Sequence, residues 1–236
     1  MEIETKRLDF KKAMEGVRTD VFYRPVERSR ALLEINEEDL RRFFRAIGER
    51  TVRNFVLDES NSWVYENVRR WADSREFWAQ DPMTGEAVPG NIHKGLYICG
   101  PTGSGKSVLV SIVRAYLGAL HVKMRVNGNE ELMAWNPKRA DEICVQYAKE
   151  GDLEPYFREK ILCIQDAGSE QPETLYMGNR VEVIRTILEY RGDRANQLTI
   201  ITSNDKISEE RYGARVSSRL REMCNYYELK GKDRRR

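Results

Sequence analysis

Eight residues constrain this chain more than any others: Gly100-Pro101-Thr102-Gly103-Ser104-Gly105-Lys106-Ser107, directly after the apolar run Leu96-Tyr97-Ile98-Cys99. The pattern is G-x-x-x-x-G-K-S, with a strand-like run before it and a helical pattern over 106–117 after it. Glycines at these positions let the backbone turn tightly and aim successive N–H groups at phosphate oxygens. Lys106 is expected to face β- and γ-phosphates and the Ser107 hydroxyl to ligate magnesium. The helix that follows adds the positive end of its dipole. A nucleoside triphosphate is the expected ligand.

The rest of the chain alternates between strand and helix. Val108, Leu109, Ile112, Val113, Tyr116 and Leu117 give the helix after the loop an apolar face, and a second strand is expected over 121–126. Helices are expected over 130–135 and 139–148, divided by Asn136-Pro137. Ile161-Leu162-Cys163-Ile164 is a continuous apolar run of the kind buried on both faces of a sheet, closed by Gln165-Asp166-Ala167-Gly168. A helix marked by Val181, Ile184 and Leu188 precedes the strand Leu198-Thr199-Ile200-Ile201-Thr202, which ends in Ser203-Asn204. This alternation predicts an α/β fold with a doubly wound parallel sheet and its ligand at the carboxyl ends of the strands.

Ahead of the loop, 37–47 reads as a helix with Leu40, Phe43, Phe44 and Ile47 on one stripe, Asn36 as N-cap and Gly48 as terminator. A second helix is expected over 62–72, with Val64, Val68 and Trp71 on one face as core. Residues 1–54 are therefore expected to form a helical, partner-docking extension, with packing back on its own domain as the alternative. Residues 55–236 form the nucleotide-binding core.

At 236 residues and 40% hydrophobic content the chain has room for one such domain and a modest extension. No signal-peptide pattern is present, and no apolar run approaches the ~20 residues that span a bilayer. A soluble, cytoplasmic protein with no membrane partner is expected. Four cysteines without a C-x-x-C pair, and two histidines, point away from a metal centre or a disulfide framework. A net charge of +2 decides nothing, but over 207–236 nine Lys/Arg stand against five Asp/Glu, a basic end suited to phosphates or to solvent.

Hydrolysis of a γ-phosphate needs a held metal, a water in line and positive charge on the phosphoryl oxygens. Asp166 is the carboxylate at the tip of the 161–164 run, with Glu170 four residues on. Asn204 offers an amide that can orient a water or sense a phosphate. Arg215 and Arg219 stand at i, i+4 on one helix face and suit an anion on a neighbouring subunit. A turn aspartate, a turn asparagine and a solvated arginine face are the competing readings. No aromatic-and-basic stacking motif marks a nucleic-acid contact, and the arginine-rich lid of a small-molecule phosphotransferase is missing.

Taken in order, the motifs resemble one family over about residues 55–236, the DnaC/IstB-type AAA+ ATPases, which comprise helicase loaders and transposition helper ATPases. The likeness lies in the loop 100–107, in Ile164-Gln165-Asp166-Ala167-Gly168-Ser169-Glu170 and in Tyr176-Met177-Gly178-Asn179-Arg180. Thr202-Ser203-Asn204 and Tyr212-Gly213-Ala214-Arg215-Val216-Ser217-Ser218-Arg219-Leu220 complete it.

The resemblance implies a P-loop NTPase of AAA+ type, a parallel sheet flanked by helices with a helical N-terminal extension, using ATP and Mg2+. It implies self-association into a ring or filament on single-stranded DNA, with a replicative helicase or a transposase as protein partner. By the family's pattern Asn204 is sensor 1, and Arg219 is a finger offered in trans with Arg215 beside it. Arg235 is a sensor-2 arginine near the nucleotide, although Asp233 stands where that motif's serine belongs. The family has two adjacent acids at the strand end. Aligned on Gly168, Gln165 takes the first place and Asp166 the second, leaving Ser107 and Asp166 to hold the metal. A glutamine offers a carbonyl oxygen without charge, so the expectation is an ATPase that binds well and hydrolyses slowly, foremost a helicase loader. A nucleotide-gated, non-catalytic adaptor is the reading from another class.

Overall fold

The computed structural model describes residues 28–30, 33–126, 129–194, 197–231 and 233. Its elements in chain order are β1 (Arg28–Arg30), α1 (Glu37–Thr51), α2 (Ser62–Ala72), β2 (Trp78–Gln80), β3 (Ala87–Pro89) and β4 (Gly95–Cys99). Then come α3 (Lys106–Ala119), β5 (Lys123–Val126), β6 (Asn129–Leu132), β7 (Pro137–Arg139), α4 (Ala140–Glu150), α5 (Glu154–Arg158) and β8 (Ile161–Ala167). The chain closes with β9 (Thr174–Tyr176), β10 (Asn179–Val181), α6 (Val183–Gly192), β11 (Leu198–Ser203), α7 (Glu209–Met223) and β12 (Cys224–Glu228).

The main sheet has seven strands in the order β3-β2-β12-β4-β11-β8-β7. From β12 to β7 every pairing is parallel, and β2 and β3 add an antiparallel edge. The period-two alternation of a strand sorts its residues between two cores. Leu96, Ile98, Cys163, Leu198 and Ile200 pack with α1, α2 and α3. Tyr97, Cys99, Leu162, Ile164 and Ile201 pack with α4, α6 and α7. This is the expected α/β architecture. At its centre β4 and β11 lie so close that a Cβ built on Gly95 would fall 1.9 Å from the Thr199 carbonyl oxygen. No described helix is long and apolar enough to cross a membrane.

Several expectations are corrected. The strand within 121–126 is β5, but it joins β1 and β6 in a separate three-stranded sheet. Residues 130–135 are not a helix: Asn129–Leu132 is a strand, paired antiparallel with β5. The apolar spacing that mimics a helix arises because the chain leaves the hairpin and turns Met133 and Trp135 into the core. The main sheet's edge is instead β7, formed from the Pro137 segment expected only to divide two helices. Gly48 does not end α1, which runs on to Thr51; it is buried where a Cβ would strike the Phe55 ring at 2.5 Å. Asn36 does cap that helix, accepting from the Glu38 N–H at 2.8 Å. β12, read from sequence as part of a basic end, is buried between β4 and β2.

Of the N-terminal region 1–54, residues 1–27 and 31–32 lie outside the described residues. α1 packs back onto the core through Leu40 and Phe44. It is joined there by a buried polar cluster. Arg69, on α2 and fully buried, pairs with Asp73, also fully buried, and grips Glu66 at 2.7 Å and Glu37 of α1 at 3.2 Å. Tyr116 of α3 donates to the other Asp73 oxygen at 2.6 Å. Burial pushes the Asp73 carboxyl up, and the Tyr116 hydroxyl and the Arg69 charge pull against it. Removing one member of a buried pair strands the other. Asp73→Ala is expected to lower stability by about 3 kcal/mol in urea unfolding, the low end for such a loss because Glu66 still holds Arg69.

Candidate nucleotide site

The loop 100–107 joins the tip of β4 to α3. Gly103 and Gly105 take φ of 79° and 97°, left-handed values open to glycine. Gly105 stands at the N-cap of α3 and supplies no capping side chain, so the positive end of the α3 dipole lies at the loop. Lys106 is 5% exposed, and its ammonium is held by the carbonyls of Gly100 at 2.8 Å and Pro101 at 3.0 Å. Its third partner is the Asn204 Oδ1 at 2.8 Å, from the tip of β11.

A cavity of about 740 Å³ opens beside this lysine. Thr102, Gly103, Gly105, Lys106 and Ser107 line it, with Asp166 and Asn204. The structure thus brings the loop and two of the three expected catalytic residues to one space. Gly100, Pro101 and Ser104 stand behind the lining and shape the loop. The Ser104 Oγ is buried without a hydrogen-bond partner.

Asp166 reaches the cavity through an irregularity. The pairing of β8 with β11 shifts register between Ile201 and Ser203, and opposite that shift Asp166 adopts φ 54°. Its N–H donates to the Thr202 Oγ1 at 3.1 Å, and its carbonyl accepts from the Ser169 hydroxyl at 2.6 Å. A bulge of this kind re-aims a side chain at the end of a strand. Gln165 stands outside the lining and pairs in register with Arg139.

Several lining residues had no sequence signal. Val52, Arg53, Asn54, Phe55 and Val56 form a wall from the segment after α1, joined by Asn61 and Tyr65. Asn61 fixes this wall by accepting from the Asp58 N–H and donating to the Val56 carbonyl, both at 2.9 Å. Tyr65 donates to the Gly105 carbonyl at 3.3 Å. Arg139, at the end of β7, is forked onto Asp141 at 3.0 and 3.2 Å and places Nη1 3.5 Å from the Asp166 carboxylate.

Arg215 and Arg219 are not in the cavity. Both rest on Asp193 after α6, at 3.3 and 2.6 Å. Arg235 lies outside the described residues. Asp233, two positions before it, lies against the loop: a Cβ built on Gly103 would fall 2.0 Å from its Oδ1.

These residues fit a nucleoside triphosphate. The cavity has the size of a small-ligand site, one part apolar and one part the glycine loop beside a buried cation. Ser107 and Asp166 share its lining and fit magnesium, which takes one or two carboxylates plus phosphate oxygens rather than a protein cage. No cluster of three or more His, Cys, Asp or Glu offers an alternative metal site among the described residues.

No protein-family model matches the chain, and no curated protein matches it. Solved structures do. DnaI matches with a TM-score of 0.50 and 20% identity, covering 83% of this chain and 93% of its own. AMPPCP-bound DnaA from Aquifex aeolicus gives 0.47 at 16% identity, over 75% of this chain and 49% of that one. Domain III of the Thermotoga maritima replication initiation protein DnaA gives 0.46 at 20%, over 76% and 66%. At 20% identity the likeness to DnaI is one of fold alone, a mostly parallel sheet flanked by helices. Within it, the wall from Val52 to Val56 and the carboxylate of Asp233 bracket the loop from opposite ends of the chain.

Gly103 tests the cradle. A side chain there meets both the left-handed backbone, at roughly 1–2 kcal/mol, and Asp233. Gly103→Ala is expected to weaken ATP binding about tenfold or more in calorimetric titration, with the unfolding temperature lowered by roughly 2–8 °C.

Proposed function

We propose that this chain binds ATP, hydrolyses it slowly, and uses it to assemble on DNA as a loader of a replicative helicase. The observation that carries the reading is the convergence of Lys106, Asn204 and Asp166, from three neighbouring strand tips, on one cavity. The task on DNA rests on the ordered motifs over 55–236 that resemble DnaC/IstB-type ATPases.

In this reading Lys106 leaves the carbonyls of Gly100 and Pro101 to meet the β- and γ-phosphates. Asn204, released from Lys106, orients the attacking water, and Asp166 accepts its proton. Ser107 and Asp166 hold magnesium, which when bound neutralises charge on the phosphoryl oxygens. Gln165 brings no second charge. Arg219 leaves Asp193 for the phosphate of a second copy, with Arg215 beside it, so each site is completed within a ring or filament. Arg235 serves the nucleotide as a sensor-2 arginine. Residues 1–54 dock the helicase, and single-stranded DNA follows the assembly.

A nucleotide-gated adaptor is the second reading. It is favoured by Arg139, whose guanidinium occupies the Asp166 carboxylate that hydrolysis would need.

Two variants separate these readings. Gln165→Asp is expected to raise steady-state ATP hydrolysis, since metal-held charge is worth several kcal/mol, roughly; a fast wild type unaffected by the change overturns the slow-ATPase reading. Arg219→Ala is expected to keep ATP affinity while hydrolysis in the assembled state falls by about 10³-fold or more. Unchanged hydrolysis and assembly exclude a role in trans.

A further inference from the structure

Outside the cavity one carboxylate is placed as no surface acid is. Glu170 is 6% exposed and accepts three hydrogen bonds: from the Gly168 N–H at 2.8 Å, the Tyr212 hydroxyl at 2.8 Å and Arg211 Nη2 at 2.7 Å. The same Arg211 nitrogen also donates to the Glu170 carbonyl at 2.8 Å. Burial first, then the Glu170 carboxylate, pushes the Tyr212 hydroxyl well up, so it stays a donor.

The partners come from two elements with different tasks. Gly168 closes the turn opened by Asp166, whose carbonyl receives the Ser169 N–H at 3.1 Å. Arg211 and Tyr212 form the first turn of α7, directly before Gly213. There φ 80° and ψ 169° break the helix. Beyond that break the helix resumes and carries Arg215 and Arg219. A buried, charge-assisted network moves as one piece, whereas glycine at positive φ is where a chain turns at least cost. Glu170 thus joins the turn 166–168 to the start of α7, and Gly213, spanned by the Ser217 hydroxyl on the Ser208 carbonyl, stands between that start and the arginine face.

We propose that Glu170 is a positioning residue that couples the phosphate site of one chain to the direction in which α7 presents Arg215 and Arg219 to a second copy. The inference rests on the nucleotide reading above. A ligand that shifts Asp166 shifts Gly168, and through Glu170 the first turn of α7. Glutamine at this position keeps the size but removes the charge that holds Arg211 and turns an amide toward it.

The test follows amide hydrogen exchange over Glu209–Met223 and self-association by sedimentation, in the full chain with and without ATP. In the wild type, ATP is expected to change exchange across α7 and to promote association. In Glu170→Gln, ATP affinity is expected to stay within about twofold while the exchange response is lost and association weakens about tenfold. Tyr212→Phe removes one donor, keeps the ring, and is expected to fall between the two; it carries the test where Glu170→Gln does not fold. A wild type that binds ATP without any exchange response in α7 overturns the coupling. So does Glu170→Gln with wild-type response and association, or with ATP affinity falling in step with association, which is a merely structural effect. A chain that binds no ATP instead removes the nucleotide reading itself.

Discussion

A buried ammonium has to be surrounded by oxygen. Lys106 meets that demand inside the chain, with two carbonyls of its own loop and the amide oxygen of Asn204. The arrangement fixes the loop before any ligand arrives, because an uncompensated buried cation is far costlier than the bending needed to supply acceptors. It also ties the tip of β4 to the tip of β11 across the sheet. On the proposed nucleotide reading, phosphate oxygens would replace acceptors that Lys106 already has in place.

The second constraint holds the rest of the wall. The segment Val52–Val56 sets Val52 and Phe55 against the core, with the Phe55 ring over Gly48 and beside Tyr65. It hangs between α1 and α2, which are locked to each other and to α3 by Arg69, Glu66, Glu37, Asp73 and Tyr116. Burial pushes the Glu66 carboxyl up, but its hydrogen bonds to Arg69 and Arg41, with their charges, outweigh this and bring it down to about 2. A carboxyl held below its unfolded value stabilises the fold above about pH 4.3 and loses that contribution as pH falls toward 2. The network is thus at full strength at neutral pH. One end of the nucleotide cavity owes its position to charges well outside it.

What could be read from the chain divides along physical lines. The loop 100–107 and the strands around Ile98, Ile164 and Ile200 declared themselves, because a phosphate nest needs glycines at set spacings and strands buried on both faces need unbroken apolar runs. The helix expected over 130–135 gives way to a strand at Asn129–Leu132, because the antiparallel pairing with Lys123–Val126 is not visible in the local sequence. β7 was invisible at three residues with a proline, and β12 because its burial comes from neighbours distant in sequence. The same holds at the site. Asp166 and Asn204 were legible as polar ends of apolar runs, and both reach the cavity. The Val52–Val56 wall and Arg139 were not, since nothing local marks a residue whose role is set by what folds over it.

Asp193 gives the arginine face an unexpected character. Arg215 and Arg219 share this one carboxylate, both partly exposed to water, where such pairs are worth little. Anything that engages them must first displace an anion already there, so the gain is only the difference between two anions. A single carboxylate on a passing surface offers no advantage over Asp193. An oxyanion that spreads more charge over more acceptor atoms does. On the proposed reading the face favours a polyanion over a single carboxylate, since Asp193, with Glu222 on Arg219, already supplies the latter.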